Sequence, residues 1–278
     1  MIRLVLDSTC DFSLEYASKH HIEIVPLSVT FGEKVYKENI DLTKEEFYKM
    51  MAASDDLPKT SQPSPQDFLN VFEQLTSEGH QVICLTVTSA LSGTYQSAML
   101  AKTICGSEDI EIIDTKNVAM GIQIQAMEIL KAIDQGLSFE MIVEKAKENV
   151  SKVRLMAAVD TLENLIKGGR LSKTEGLIGS LISIKPVIGF NEEGTIVTLG
   201  KFRGMKKAIS NMIEIARNDD VDGSKAMCVG YTANPENMNR MLEGIIDSRF
   251  RFDGQFAVGA VIGTHAGPNA AAIAYFVK

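Results

Sequence analysis

The sequence predicts an α/β protein of two domains: an N-terminal, mostly parallel sheet flanked by helices and a C-terminal mixed sheet with helices. Three observations predict it. The chain has 278 residues, twice the length of a common domain. Short apolar runs alternate with helical patterns over roughly the first 150 residues, as in a parallel sheet covered on both faces. After that the rhythm changes to hairpins mixed with helices. The boundary falls near residue 155, giving domains 1–155 and 156–278.

Taken in order, Ile2–Leu6 is an apolar run that ends at Asp7-Ser8-Thr9, a buried strand meeting a polar loop. Ser13–Lys19 reads as a short helix. Glu23–Phe31 alternates and carries Val, Ile and Thr, which suits one strand. Thr43 with Glu46 forms a capping box that starts a helix to about Ala53. Ser54–Pro65 holds three of the seven prolines and reads as loop. A helix follows over Gln66–Ser77, then a buried strand over Val82–Val87. That strand breaks at Thr88–Gly93, and a helix continues to about Cys105. Ile110–Asp114 is a strand; Val118–Gln135 and Phe139–Val150 are helices.

Beyond the boundary, Arg154–Asp160 is strand-like and Leu162–Lys167 is a short helix stopped by Gly168-Gly169. Lys185–Asn191 and Thr195–Lys201 flank Glu192-Glu193-Gly194 as a hairpin. Lys206–Arg217 is a helix, Ala226–Tyr231 a strand, and Pro235–Asp247 a helix opened by proline. Phe256–Ile262 and Ala271–Val277 read as strands joined by a Gly-rich connection, Gly263–Pro268.

Composition narrows the function. Asp+Glu outnumber Lys+Arg, 36 to 28, and the net charge is -8. A nucleic-acid binder needs a basic face, so no nucleic-acid partner is expected. The four cysteines lie apart, without CxxC or zinc spacing, and read as free thiols in a reducing compartment. The first residues reach Asp7 too early for a signal-peptide core, and no apolar run has membrane-spanning length. The expectation is a soluble, cytoplasmic protein with neither cofactor nor metal.

Catalytic signatures fail in turn. There is no GxGxxG or HExxH. Gly194–Lys201 has five residues between its glycines, and Phe202 stands where a P-loop has Ser or Thr. Ser92 lacks the GxSxG elbow of hydrolases. Asp7 and Asp11 read as caps of the first turn and helix, or as a pair sharing a metal or a proton. His20, His21 and His80 lie beside helix ends and read as surface residues.

Two hydroxyl-rich segments remain, Thr60-Ser61-Gln62-Pro63-Ser64-Pro65 and Ser89–Thr94. Each precedes a helix, and loops at the C-terminal edge of a parallel sheet line the usual ligand crevice. Hydroxyls and free N–H groups at helix N-termini bind anions, and Gly93 allows close approach to the backbone. The alternative is that Thr60, Ser64 and Ser92 are only helix caps. His265, with Thr264 beside it, suits a hydrogen bond to a carboxylate, or is a structural histidine. Gly168–Lys173 is a helix stop with two cations, either solvated or gripping an anion through Arg170. Gly176–Phe190 is strongly apolar and reads as core or as the wall of an apolar tunnel.

Asp7-Ser8-Thr9 with Asp11, Pro26–Val29, Thr60–Pro63, Ser92–Ser97, Gly169-Arg170-Leu171 and Lys185-Pro186 occur in this order along essentially the whole chain. In this the sequence closely resembles the DegV family, which includes the fatty-acid-binding subunits of bacterial fatty acid kinases. The resemblance implies a two-domain α/β protein holding one long-chain fatty acid in a buried tunnel. It implies that Thr60 and Ser92 hold the carboxylate, with Ser61 and Thr94 as neighbours and His265 close by. It places Arg170 at the mouth, serving a kinase partner or its phosphate, and allows transient contact with a membrane surface. Burying ~15 methylenes is worth roughly 12 kcal/mol before the costs of association, enough for tight binding. With no nucleophile–base–orienter set, the expected role is a carrier rather than an enzyme, with acyl phosphate chemistry left to the kinase. The competing readings are a serine hydrolase of acyl esters using Ser92 with His265, and a sensor of a phosphorylated metabolite.

Overall fold

The computed structural model describes residues 1–171 and 184–278. Part of the apolar stretch 176–190, and Ser172 and Lys173, lie outside the described residues. Strands β1 (Ile2–Asp7), β2 (Ile22–Val25), β6 (Gln81–Thr86) and β7 (Ile110–Asp114) form a parallel sheet in the order β2-β1-β6-β7. Between β2 and β6 lie β3 (Ser28–Phe31), β4 (Lys34–Lys37) and β5 (Lys59–Ser61), an antiparallel sheet ordered β4-β3-β5. The third sheet is mixed. It contains β8 (Val153–Ala158), β9 (Ile184–Phe190), β10 (Ile196–Arg203), β11 (Cys228–Tyr231), β12 (Gly254–Ala257) and β13 (Ala271–Phe276), ordered β10-β9-β8-β13-β11-β12.

Ten α-helices are described: α1 (Leu14–Lys19), α2 (Lys44–Ala52), α3 (Pro65–Ser77), α4 (Thr94–Cys105), α5 (Met120–Asp134), α6 (Phe139–Val150), α7 (Glu163–Lys167), α8 (Met205–Asn218), α9 (Glu236–Gly244) and α10 (Ala260–Ala266). The predicted α/β class and both principal sheets are present. The capping boxes Thr43/Glu46 and Ser64/Asp67 start α2 and α3.

Alternation along the central strands sorts their side chains into two cores. Val5, Val82 and Cys84 pack on Phe68, Phe72 and Ala98 of α3 and α4. Leu4, Leu6, Ile83 and Leu85 pack on Ile122, Ala126 and Ile129 of α5. That second core continues through α5 to Leu155, Cys228, Ala272 and Ala274 of the mixed sheet. Helix α5 is therefore sandwiched between the two large sheets, which explains why ten of its residues are buried. The outer face of the mixed sheet is covered by Ile209, Met212, Met238 and Met241 of α8 and α9.

Three expectations need correction. Glu23–Phe31 is two strands in two different sheets, because Pro26 interrupts the ladder. The supposed loop Ser54–Pro65 contains β5, which pairs Thr60 with Val29. Phe256–Ile262 is not one strand: β12 ends at Ala257, and α10 occupies the supposed strand end and Gly-rich connection. The helix forms because two distant carboxylates accept from its first turn. Gly259 N–H donates to Asp11 Oδ1 at 2.7 Å and Val261 N–H to Glu38 Oε1 at 2.8 Å.

The β9–β10 hairpin is clamped to the parallel sheet, since Thr88 Oγ1 donates to the Gly194 carbonyl at 3.0 Å. Gly194 has φ +80, and a Cβ there would lie 2.2 Å from Thr88 Oγ1 and 3.0 Å from Lys116 Cα. Gly194→Ala combines positive-φ strain with a clash against backbone, so a loss of about 1–3 kcal/mol is expected. Urea denaturation checks this; an unchanged midpoint would show that the hairpin is not clamped at Gly194.

Candidate functional site

The site begins at the C-terminal end of β1. Burial raises the Asp7 carboxyl to about 6, against the lowering effect of its hydrogen bonds. Its Oδ1 accepts from Thr9 N and Thr9 Oγ1, and its Oδ2 from Val87 N at 2.6 Å. Asp7 thereby ties the ends of β1 and β6 together. Ser8 Oγ donates to Glu38 Oε2 and accepts from Leu27 N, fastening the three-stranded sheet to the same edge. Asp7 thus caps the first turn, as one reading held, while Asp11 serves the distant α10. Among the described residues no group of three or more His, Cys, Asp or Glu side chains is arranged to hold a metal ion.

This edge and the mixed sheet enclose a cavity of about 380 Å³. Its walls are apolar: Val87 and Leu91 beyond β6, Ala119 and Met120 at the start of α5, Leu155, Ala157, Ile188 and Phe190 from the mixed sheet, and Val261 and Ile262 from α10. Small residues in one cross-strand row, Ala157, Ala272 and Gly230, keep it open. The volume falls within the range usual for small-molecule pockets.

The polar groups gather on loops and ends. Thr60 and Ser61 on β5, Gln62, Ser92, Arg170 and His265 all line the cavity. Thr60 Oγ1 and His265 Nε2 share a hydrogen bond of 2.9 Å. Ser92 Oγ pairs with Thr94 Oγ1 at 2.9 Å. Thr94 is buried and is not among the lining residues. Arg170 donates from Nε to the Leu91 carbonyl and from Nη1 to the Gly168 carbonyl, so its guanidinium sits beside the Ser92 loop.

His265 lies in the last turn of α10 rather than in a loop. A Cβ at Gly168 would be 2.4 Å from its Nδ1, so the ring lies close against the α7 stop. That Nδ1 is buried without a hydrogen-bond partner. Burial, and then the Arg170 guanidinium, push the imidazole pKa down to about 4. His265 is therefore neutral at physiological pH. Thr264 does not assist it, because its hydroxyl donates to the Ala260 carbonyl inside the helix.

The two hydroxyl segments work differently from each other. The N-terminus of α3 is closed by Ser64 and Asp67, so Thr60 reaches the site from a strand. The N-cap of α4, Gly93, has no side chain to cap the helix, and the first N–H, that of Thr94, donates to Ser92 Oγ at 3.4 Å; the positive end of the helix faces the same loop. Gln62 lies against Gly93: a Cβ there would be 2.1 Å from Gln62 Oε1. Gln62 donates to Ser97 Oγ at 3.0 Å and so joins the two segments. Nothing in the motif marked Gln62 for this part. Glu38 was also missed, because Lys37-Glu38-Asn39 reads as exposed; it is 2% exposed. His80 is half-buried beside Glu78 rather than free on the surface.

Against known proteins, the model described as "Uncharacterised protein, DegV family" matches residues 1–278. A DegV domain-containing protein of Clostridium acetobutylicum is 33% identical over 277 residues, covering 100% of this chain and 99% of its own. Among solved structures, a stearic acid-binding protein from Eubacterium ventriosum superposes with TM-score 0.90 at 31% identity, covering 100% of this chain and 99% of its own. The fatty acid kinase B3 protein of Streptococcus pneumoniae, loaded with linoleic acid, gives TM-score 0.87 at 25% identity, covering 100% of both chains.

The site electrostatics are measurable. In ligand-free protein, NMR titration of His265 should show a midpoint near 4. Arg170→Gln removes a like charge and should move that midpoint up. The folded value lies below the ordinary 6.5, so the unfolded chain takes up this proton first as pH falls. Stability from His265 is therefore complete above pH 6.5 and is lost as pH falls through that window towards 4. A midpoint near 6.5 would show that the ring is hydrated.

Proposed function

The chain belongs to the DegV family, and we propose that it buries one long-chain fatty acid in the cavity and presents the carboxylate to a kinase. The observation that carries this reading is the division of the cavity: mostly apolar walls, with the Thr60 hydroxyl set against His265 and the Arg170 guanidinium beside the Ser92 loop. A fatty acid has the same division. Relatives of the same fold support the ligand class, since one binds stearic acid and another was loaded with linoleic acid.

In this reading Ser92 Oγ–H and Thr60 Oγ–H donate to the carboxylate, with Ser61 alongside and Thr94 orienting Ser92. His265, as the neutral tautomer protonated on Nε2, donates to Thr60 Oγ1 and so leaves the Thr60 hydroxyl hydrogen for the carboxylate. The start of α4, where Thr94 N–H donates to Ser92 Oγ, adds favourable polarity towards a negative head group. The family relation to a fatty acid kinase B3 protein supports a kinase as partner. The kinase transfers the phosphoryl group to the presented carboxylate, giving an acyl phosphate, and Arg170 at the same edge suits the new phosphate through paired N–H donors.

The geometry favours binding over hydrolysis. A serine hydrolase needs Ser92 bonded to His265 and an acid on Nδ1. Instead, Ser92 pairs with Thr94, His265 Nε2 with Thr60, and Nδ1 has no partner. A phosphorylated metabolite would set a polar body against Val87, Leu91 and Ile188, which disfavours the sensor reading.

Native mass spectrometry of the purified protein should show one acyl chain that denaturation removes. Protein that is empty and also refuses oleate and palmitate would sink the reading. A hydrogen bond to a charged group is worth roughly 1.5–3 kcal/mol, so Ser92→Ala should weaken fatty-acid binding about 10- to 150-fold, with the fold intact. Thr60→Val should act in the same direction. Unchanged affinity in both variants and in the double variant rejects the head-group assignment. With a cognate kinase, Arg170→Ala should reduce the phosphorylation rate by a larger factor than it reduces affinity. Equal factors would assign Arg170 to the ligand alone.

A further inference from the structure

Two buried carboxyl groups, those of Asp11 and Glu38, meet at the start of α10, and they are not equivalent. Each accepts one backbone N–H of that turn, Asp11 from Gly259 and Glu38 from Val261. Glu38 uses its other oxygen as well, because Ser8 Oγ donates to its Oε2 at 2.6 Å. Asp11 does not: its Oδ2 is buried with no hydrogen-bond partner. The two groups also crowd one point. A Cβ on Gly259 would lie 2.5 Å from Glu38 Oε1 and 2.6 Å from Asp11 Oδ1.

Like charges placed so near each other, and away from water, oppose one another, and an anionic oxygen without a donor is the costlier of the two to bury. Glu38, with both oxygens paired, suits the charge. Asp11, with Oδ2 unpaired, suits the proton. The surroundings balance one such charge. Lys44 reaches the pair from α2, with its ammonium on the Asp11 and Ala257 carbonyls. Cys10, in the turn after β1, and Tyr48 of α2 face the same cluster, and burial keeps both neutral. Asp7, at the end of β1, adds a further negative charge once it ionises near 6. Burial raises the Asp11 carboxyl well above its ordinary 3.8; Lys44 opposes the rise and Glu38 adds to it.

We propose that Asp11 and Glu38 together hold a single proton that keeps the start of α10 closed against them, and that losing this proton loosens the helix and opens the cavity to ligand exchange. The ligand in question is that of the fatty-acid reading above, on which this part of the inference rests. With the proton in place, one negative charge faces Lys44, and both carboxyls accept from the helix. Without it, two buried carboxylates repel, and the repulsion is relieved when the first turn parts from them and water enters. Val258, Val261 and Ile262, before and within that turn, line the cavity, and the same helix carries His265. A loosened start therefore opens the wall and disturbs the contact of His265 with Thr60.

The test follows the dissociation rate of bound oleate by stopped flow, from mildly acid to mildly alkaline pH, in the wild type, Asp11→Asn and Glu38→Gln. Either amide removes the second charge and keeps an oxygen for its α10 N–H. In the wild type the rate should rise above neutrality, by up to about tenfold per pH unit, as the deprotonated fraction grows. In both variants it should stay flat, and the comparison cancels the ligand's own titration. No rise in the wild type, or an equal rise in all three proteins, overturns the inference. Stability gives the sign independently. The folded state holds this proton where the unfolded chain has released it, so the contribution of Asp11 is complete below 3.8 and is lost as pH rises towards the folded value. Asp11→Asn should remove that part of the slope in urea denaturation; an unchanged slope overturns the inference. A third measurement needs neither variant nor ligand. The infrared spectrum of the delipidated wild type should keep the band of a protonated carboxyl at neutral pH, where Asp7 is mostly ionised, and lose it in the alkaline range. Absence of the band at neutral pH overturns the inference whatever the variants do. Failure of the wild type to bind oleate or palmitate would instead overturn the fatty-acid reading, and the band would still decide the proton.

Discussion

The place of His265 at the polar end of the cavity rests on two carboxyl groups reaching the first turn of α10. Asp11 and Glu38 come from the opposite end of the sequence, yet they accept from Gly259 and Val261. A seven-residue helix has little stability of its own, since helix nucleation is costly. These bonds give it a fixed start. Its last turn then delivers His265 to Thr60, and its apolar face closes the cavity with Val261 and Ile262. That anchor acts together with the packing of Ala260 and Val261 on Leu27, Val29 and Phe47 to bring together the histidine and the threonine, 205 residues apart.

Holding two carboxyls in the interior has an electrostatic cost that the surroundings moderate. Burial raises the pKa of both, and their proximity raises that of Asp11 further. Lys44, at the start of α2, lowers them again. Its ammonium donates to the Asp11 carbonyl at 2.8 Å and to the Ala257 carbonyl at 2.7 Å, bridging β1's outlet and the approach to α10. Tyr48, one turn further along α2, donates to the Val258 carbonyl at 3.0 Å. A Cβ on Gly263 would strike the Tyr48 hydroxyl at 2.4 Å, so the glycine lets α2 and α10 lie in contact. The three-stranded sheet and α2 are thus a brace between the parallel sheet and the helix that carries His265. The same brace carries Thr60.

Local signals made the large elements legible. Thr43 with Glu46 announced α2, the apolar run at Val82 announced β6, and Glu192-Glu193-Gly194 announced the hairpin of β9 and β10. The hydroxyl segments were legible because Ser and Thr cluster where parallel strands end. The elements that failed are those stabilised from far away. Strand β5 is three residues long, with Pro58 and Pro63 nearby, and exists because β3 pairs with it. Helix α10 has no side-chain cap of its own; its acceptors lie more than 200 residues upstream.

The neutrality of His265 follows from the same architecture and shapes what the site can hold. The ring is enclosed by the α7 stop on one side and by Thr60 on the other, with Arg170 near enough to oppose a second positive charge. Among the described lining residues the formal cation is Arg170, and it is already fastened to the Leu91 and Gly168 carbonyls. The other polar groups beside it are hydroxyls and a neutral ring. Such a setting stabilises a carboxylate through several modest hydrogen bonds rather than one strong ion pair. A carboxylate held in that way keeps much of its negative charge available, which is what transfer of a phosphoryl group to it requires.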